Sequence, residues 1–377
     1  QVSEFRWCKG SALNSCLCPL AMVSVVWHVS ALGVATAVLW FGFNRPGLER
    51  SVPSGVPVVD FGALSGPNRP QAVAELAAAA REFGVVRLVN HGADVVAARK
   101  SGSDYFKLPL DLKGCPACSR RNASIGFQRG YIPFAAESGL ANVFEAKEGF
   151  CYGFEWPSTA EPEHPYQAPN VWPPEEALPL LGPRWREDLM GFFNATVAMS
   201  LAAVGALAEA LGERGLELPG LCDGGDTISQ LRMFHYLPQT EKCDKQCMGS
   251  SPHTDWHFVT IISRDAASTL EYFDRKAGEW VSVQSQPDEL LLLIGDWLSA
   301  YSDSTFHAPA HRVLSPTQES SLSFVFFFYP SIGARLPKDR GSETTWSEEV
   351  NSVDSSMFEL AWGDYVVKKW VQVMSNR

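Results

Sequence analysis

The chain has no basic run and too few cations to balance its acids. Its 31 Lys and Arg stand against 42 Asp and Glu, a net charge of −11 at pH 7. Nucleic-acid binding rests on phosphate neutralisation, so no nucleic-acid partner is expected. Cysteine is scarce as well: nine in 377 residues is too thin for a disulfide scaffold. There is no glycine-rich phosphate loop, no G-x-S-x-G nucleophile elbow and no repeat of fixed period. Charged residues make up 19% and hydrophobic ones 46%, which excludes a mainly disordered chain. Aromatics are plentiful, with 12 Trp and 22 Phe, and imply a large aromatic core.

Charge is absent altogether between Cys16 and Phe43. The stretch from Leu20 to Phe43 is long enough to cross a bilayer as a helix, so residues 20–43 are expected to anchor the chain in a membrane or to target it. Ala35-Thr36-Ala37 also fits a signal-peptide cleavage site. Arg6 and Lys9 before the stretch and Arg45 after it do not decide an orientation. A Pro/Gly/Ser-rich linker follows over 44–56. Residues 1–50 therefore read as an N-terminal apolar helix plus linker. Without that segment's influence the chain is expected to be cytoplasmic, and it is expected to act as a monomer.

Beyond the linker, residues 57–61 read as a strand and 70–83 as a helix with Pro at its start. Val85–Val89 reads as a buried strand, residues 94–112 as helical, and 113–180 as loop. Residues 184–211 carry apolar side chains at threes and fours, from Trp185 through Leu189, Phe192 and Leu207 to Leu211, the period of a helix. After Thr227 the period changes to short apolar runs: 231–236, 258–262, 270–273, 280–283, 290–294, 313–314 and 322–329. Many short strands at near-regular spacing predict a sandwich or barrel-like β domain. A last helix is expected over 355–374.

Chemistry concentrates in this β segment. In a strand, residues i and i+2 face the same side, so His253 and Asp255 would project together. His311 follows 56 residues later in His311-Arg312-Val313. Two histidines and a carboxylate on one face are the donor set of a non-haem Fe(II) site, with coordination positions left open. His307 is a rival for the distal ligand; His235 and His257 read as pocket-lining or surface residues. Cys115 and Cys118 with Cys243 and Cys247 could form a four-thiolate zinc site, but the preferred reading is free thiols or local disulfides.

In motif order and spacing the chain resembles the iron- and 2-oxoglutarate-dependent dioxygenases of the isopenicillin N synthase type. The resemblance spans roughly Val56 to Pro337. It rests on Val56–Phe61, Gly84–Gly92, Lys147-Glu148 and Asn170–Pro173, then on Leu231–Tyr236, His253-Thr254-Asp255, Ile294-Gly295-Asp296, His311-Arg312-Val313 and Phe326–Pro330. It implies an α+β, mainly β fold: a double-stranded β-helix (jelly roll, cupin-like) core with flanking helices. Residues 51–180 would be the N-terminal dioxygenase region, 181–340 a helix plus the catalytic jelly roll, and 341–377 would carry the C-terminal helix. It also implies that His253, Asp255 and His311 hold Fe(II), that Tyr236 contacts a cosubstrate carboxylate, and that O2 drives hydroxylation or desaturation of a small organic substrate while 2-oxoglutarate is decarboxylated to succinate.

One departure bears on the cosubstrate. Where the family's R-x-S motif begins, ten residues after the distal histidine, this chain has Ser321, followed by Leu322 and Ser323. The arginine pairs bidentately with the far carboxylate of 2-oxoglutarate, and serine cannot replace its charge. Tyr236, Ser321 and Ser323 remain as hydrogen-bonding candidates. Weaker or altered use of 2-oxoglutarate is therefore expected. An iron oxidase that does without 2-oxoglutarate, and a metal- or ligand-binding homologue without turnover, stay open at this point. Trp256-His257 and Phe234-His235 are further departures beside the metal strand.

Overall fold

The computed structural model describes residues 55–122, 124–137, 143–238, 246–284, 286, 288–337 and 355–375. The apolar stretch 20–43 and Cys243 lie outside them. Pro53–Arg377 form one compact unit.

Alternation builds the core. In the strand Ser321–Phe328, Leu322, Phe324, Phe326 and Phe328 join one buried apolar cluster, while Val325 joins another on the opposite face. A strand apolar on both faces belongs between two layers. The strands are β1 Val58–Asp60, β2 Val85–Val89, β3 Ser119–Asn122, β4 Phe127–Ile132, β5 Val143–Glu145, β6 Lys147–Gly153 and β7 Gln230–Tyr236. They continue as β8 Gln246–His253, β9 Val259–Arg264, β10 Leu270–Asp274, β11 Glu279–Ser282, β12 Leu290–Ile294, β13 His311–Leu314 and β14 Ser321–Phe328. Among the described residues they form a nine-stranded sheet in the order β1-β2-β12-β9-β14-β7-β6-β4-β3 and a five-stranded sheet in the order β11-β10-β13-β8-β5. The inter-sheet core includes Ile262, Leu270, Val283, Leu291, Val313 and Val325.

The helices are α1 Arg69–Glu82, α2 Val95–Phe106, α3 Leu110–Lys113, α4 Leu178–Leu181, α5 Trp185–Leu211, α6 Asp296–Tyr301 and α7 Trp362–Ser375; α1, α2 and α5 pack against the larger sheet. Phe192 and Phe193 of α5 meet Phe324 and Phe326 of β14 edge-on, with ring centroids 5.6 and 5.3 Å apart. Helix α2 lies so close to β14 that a Cβ on its Gly102 would come within 2.6 Å of the Phe324 ring. Helix α5 is long and apolar enough to cross a membrane, yet it packs against α1, α2, β9 and β14, the position of a core helix.

The expected helices and late strands form close to the expected residues, with 290–294 matched at both ends. The expectation of loop over 113–180 is corrected: β3, β4, β5 and β6 lie there. Their buried positions carry Gln128, Arg129, Lys147 and Glu148, so no apolar run announces them. The last helix begins only at Trp362. The regions 51–180 and 181–340 share a sheet, since β2 pairs with β12 and β6 with β7.

Candidate metal and cosubstrate site

β8 ends at His253, and β13 starts at His311 directly opposite, with ring centroids 4.3 Å apart. Asp255 lies just past the strand rather than within it. The following backbone positions it: the Asp296 N–H donates to the Asp255 carbonyl at 2.7 Å and the Trp297 N–H to the Trp256 carbonyl at 3.1 Å. Gly295 makes this approach feasible, because any Cβ there would sit 1.9 Å from the His257 carbonyl oxygen.

The three side chains converge. His253 Nε2 is 3.7 Å from Asp255 Oδ1, and His311 Nε2 is 3.8 Å from Asp255 Oδ2. Among the described residues this is the His/Cys/Asp/Glu group whose ligand atoms come together, all within 4.8 Å of one another. Each histidine bonds through Nδ1 to a main-chain carbonyl, His253 to Ser251 at 2.8 Å and His311 to Pro309 at 3.1 Å. A carbonyl accepts, so Nδ1 carries the proton and the Nε2 lone pair faces the centre. Thr260 donates its hydroxyl to Asp255 Oδ2.

Electrostatics favour the same protonation states. Burial pushes the His311 imidazole down to about 4, so it is neutral and able to ligate at pH 7. Burial by itself would raise the Asp255 carboxyl, but the imidazoles of His311, His257 and His253 and the Thr260 hydroxyl hold it below the ordinary value. A neutral N, N and anionic O donor set in a partly dry site fits Fe(II). His307 is not in the cluster; its N–H bonds to Ala80 O at 2.9 Å. His257 is buried against Phe327 and Tyr329. His235 lies on the helix side, bonded to Glu148 at 3.0 Å, beside a surface cavity lined by Arg99, Ser103, Phe106 and Lys107.

Tyr236, Ser321 and Ser323 sit on adjacent strands of the larger sheet, Tyr236 paired with Ser321. Tyr236 is buried, which raises its phenol well above the usual range, and its hydroxyl is within hydrogen-bonding reach of Ser323. The Ser321 hydroxyl donates instead to Asp265 at 2.8 Å. The reading of local disulfides holds over the four-thiolate zinc site: Cys115 and Cys118 are joined in a disulfide, and Cys247 is disulfide-bonded too. Thr260 and Arg264 escaped the sequence reading. Their signal was the alternation of β9, which puts residues 260, 262 and 264 on one face.

A jelly roll with a His-Asp-His cluster held between its sheets defines a non-haem iron oxygenase. Two family models match the chain: non-haem dioxygenase in morphine synthesis N-terminal over residues 56–175, and 2OG-Fe(II) oxygenase superfamily over residues 228–330. The 2-oxoglutarate-dependent dioxygenase citB of Monascus ruber is 28% identical over 327 residues, covering 83% of this chain and 96% of that one. The clavatol oxidase claD of Penicillium crustosum is 28% identical over 272 residues, covering 67% of this chain and 77% of the relative. A full-length Neurospora crassa protein, solved in complex with alpha-KG, shares the fold at a TM-score of 0.65 and 20% identity, over 84% of this chain and 95% of that one. The protein belongs to the 2-oxoglutarate- and Fe(II)-dependent oxygenases. It is a non-haem Fe(II) dioxygenase that uses Fe(II), 2-oxoglutarate and O2. The readings as an oxidase without 2-oxoglutarate or as an inactive homologue are not better supported.

Proposed function

We propose that His253, Asp255 and His311 are the three protein ligands of Fe(II), that Tyr236 and Ser323 contact the cosubstrate, and that the enzyme hydroxylates or desaturates a small organic molecule. The observation that carries this is the convergence of two Nε2 atoms and one carboxylate, with both Nδ1 atoms fixed on main-chain carbonyls. Three ligands leave coordination positions for a cosubstrate and for O2. When bound, the iron supplies the redox chemistry. The chain's own contributions are to keep His253 and His311 in the ligating tautomer, to favour the ionised Asp255 through the neighbouring imidazoles and the Thr260 hydroxyl, and to exclude water with the apolar inter-sheet core.

A clavatol oxidase among the relatives supports a small organic substrate. We propose residues 20–43 as an anchor or targeting segment, which would place the enzyme at a membrane. The experiment is a panel of candidate substrates with Fe(II), 2-oxoglutarate and O2, read by succinate and by oxidised product. Succinate formed by wild type and abolished in His311→Ala, Asp255→Ala and His253→Ala supports the assignment. Activity persisting in any of the three refutes the ligand set.

A further inference from the structure

The face of the larger sheet that carries Tyr236 and Ser323 also carries a buried cation absent from the motif pattern. β14 lies between β7 and β9. Ser323 is opposite Phe234 on one side and Arg264 on the other. Ile262 belongs to the inter-sheet core and Ile261 to the helix-side core, so Arg264 shares the inner face with Ile262 and Thr260. Its guanidinium crosses toward the smaller sheet and donates to the main-chain carbonyls of Val283 and of Gln284, the latter at 2.9 Å. Position 321 is two residues from 323 on the same face. It is therefore a diagonal neighbour of 264, about 7–8 Å away and within reach of an arginine side chain.

We propose that Arg264 takes the distal carboxylate of 2-oxoglutarate, replacing from the neighbouring strand the arginine that position 321 lacks; this rests on the cosubstrate reading above. The fork of guanidinium donors suits a carboxylate bidentately whichever strand supplies it. Burial lowers Arg264 to about 10, which leaves it protonated at neutral pH. Two other buried cations share this face. Lys147 pairs with Glu145 at 2.6 Å, and Arg232 pairs with Glu137 at 2.7 Å and lies toward the Phe327 end. Thr260, which bonds the metal carboxylate, is four residues from Arg264, about 13 Å along the strand. A five-carbon diacid together with an arginine side chain spans that length. The Ser321 hydroxyl is already engaged with Asp265.

The test is anaerobic binding on the full chain: 2-oxoglutarate titrated into the Fe(II) protein by its visible charge-transfer absorption, and into the Mn(II) protein by calorimetry. Arg264→Gln is expected to weaken 2-oxoglutarate by about 10- to 100-fold with metal affinity unchanged, and Arg264→Lys by less. Adding Ser321→Arg to Arg264→Gln is expected to restore most of the loss. Wild type is also compared between 2-oxoglutarate and its 5-methyl ester, which needs no variant to fold; a preference of tenfold or more for the diacid, lost in Arg264→Gln, supports the assignment. Equal affinity of wild type and Arg264→Gln for the diacid overturns the role of Arg264 alone, as does equal wild-type affinity for diacid and ester. No 2-oxoglutarate signal in wild type overturns the cosubstrate reading and the role of Arg264 with it.

Discussion

Glu145 is a sensitive point of the framework that carries the His-Asp-His cluster. It sits at the end of β5, beside β8, the strand that delivers His253. Its carboxylate accepts from Lys147 Nζ at 2.6 Å, from the Ser251 N–H at 2.8 Å and from the Ser251 hydroxyl at 2.6 Å. Burial would raise this acid, but the Lys147 ammonium and the Ser251 donors outweigh it and bring it from 4.5 down to about 2. At about 1.4 kcal/mol per pKa unit, that depression corresponds to roughly 3 kcal/mol of stability. The sign follows from a lowered folded-state value: the contribution is complete above pH 4.5 and is lost as pH falls toward 2. Glu145→Gln keeps the shape and can still accept from Ser251. It leaves the Lys147 ammonium, whose side chain is 7% exposed, without its anion. Breaking a buried pair in this way costs about 3–5 kcal/mol, which agrees with the titration argument. Urea unfolding at pH 7 should show a loss of about 3 kcal/mol, and melting a fall of roughly 4–5 °C for a unit of this size. The gap between wild type and variant should shrink at pH 3. A loss under about 1 kcal/mol at pH 7, or a gap that is the same at pH 7 and pH 3, would refute the reasoning.

Three further outcomes are expected. His253→Ala and His311→Ala should each abolish tight Fe(II) binding measured by calorimetry, while His307→Ala should retain it; loss in His307→Ala would mean that the distal ligand is misassigned. Thr260→Val removes the hydroxyl that holds Asp255 Oδ2, and metal affinity should drop about 10–100-fold with the fold intact by circular dichroism; unchanged affinity would show that Asp255 needs no such support. Removing residues 1–50 should leave a soluble domain with an unaltered melting temperature, since Pro53–Arg377 form a compact unit of their own; insolubility or a lower melting point would contradict that.

The jelly roll and the His-Asp-His cluster were legible because they announce themselves by pattern. The Leu290–Ile294 strand is an unbroken apolar run, and His253-Thr254-Asp255 with His311-Arg312-Val313 keeps order and spacing. β4 and β6 were not legible, because burial there is achieved with charge. Arg129 donates to the Gln128 and Tyr166 carbonyls, and Glu148 gathers Lys113, Tyr131 and His235. Such residues look like loop until their partners, many positions away, are known. Arg264 was hidden for a related reason. A motif fixes a residue on one strand, whereas a pocket is satisfied by any strand that borders the same space.

The proposed iron ligands and the proposed cosubstrate contacts belong to different sheets. His253 and His311 stand on the five-stranded sheet, and Tyr236, Ser323 and Arg264 on the nine-stranded one. A molecule held by both therefore bridges them. Ile262, Leu270, Val283 and Val313 keep the sheets apart, at the roughly 10 Å usual for packed sheets. These apolar residues carry no donor or acceptor, yet their bulk sets the width of the space in which the proposed site lies. The room left for any ligand between the sheets is thus set in part by side chains that have no polar atom at all.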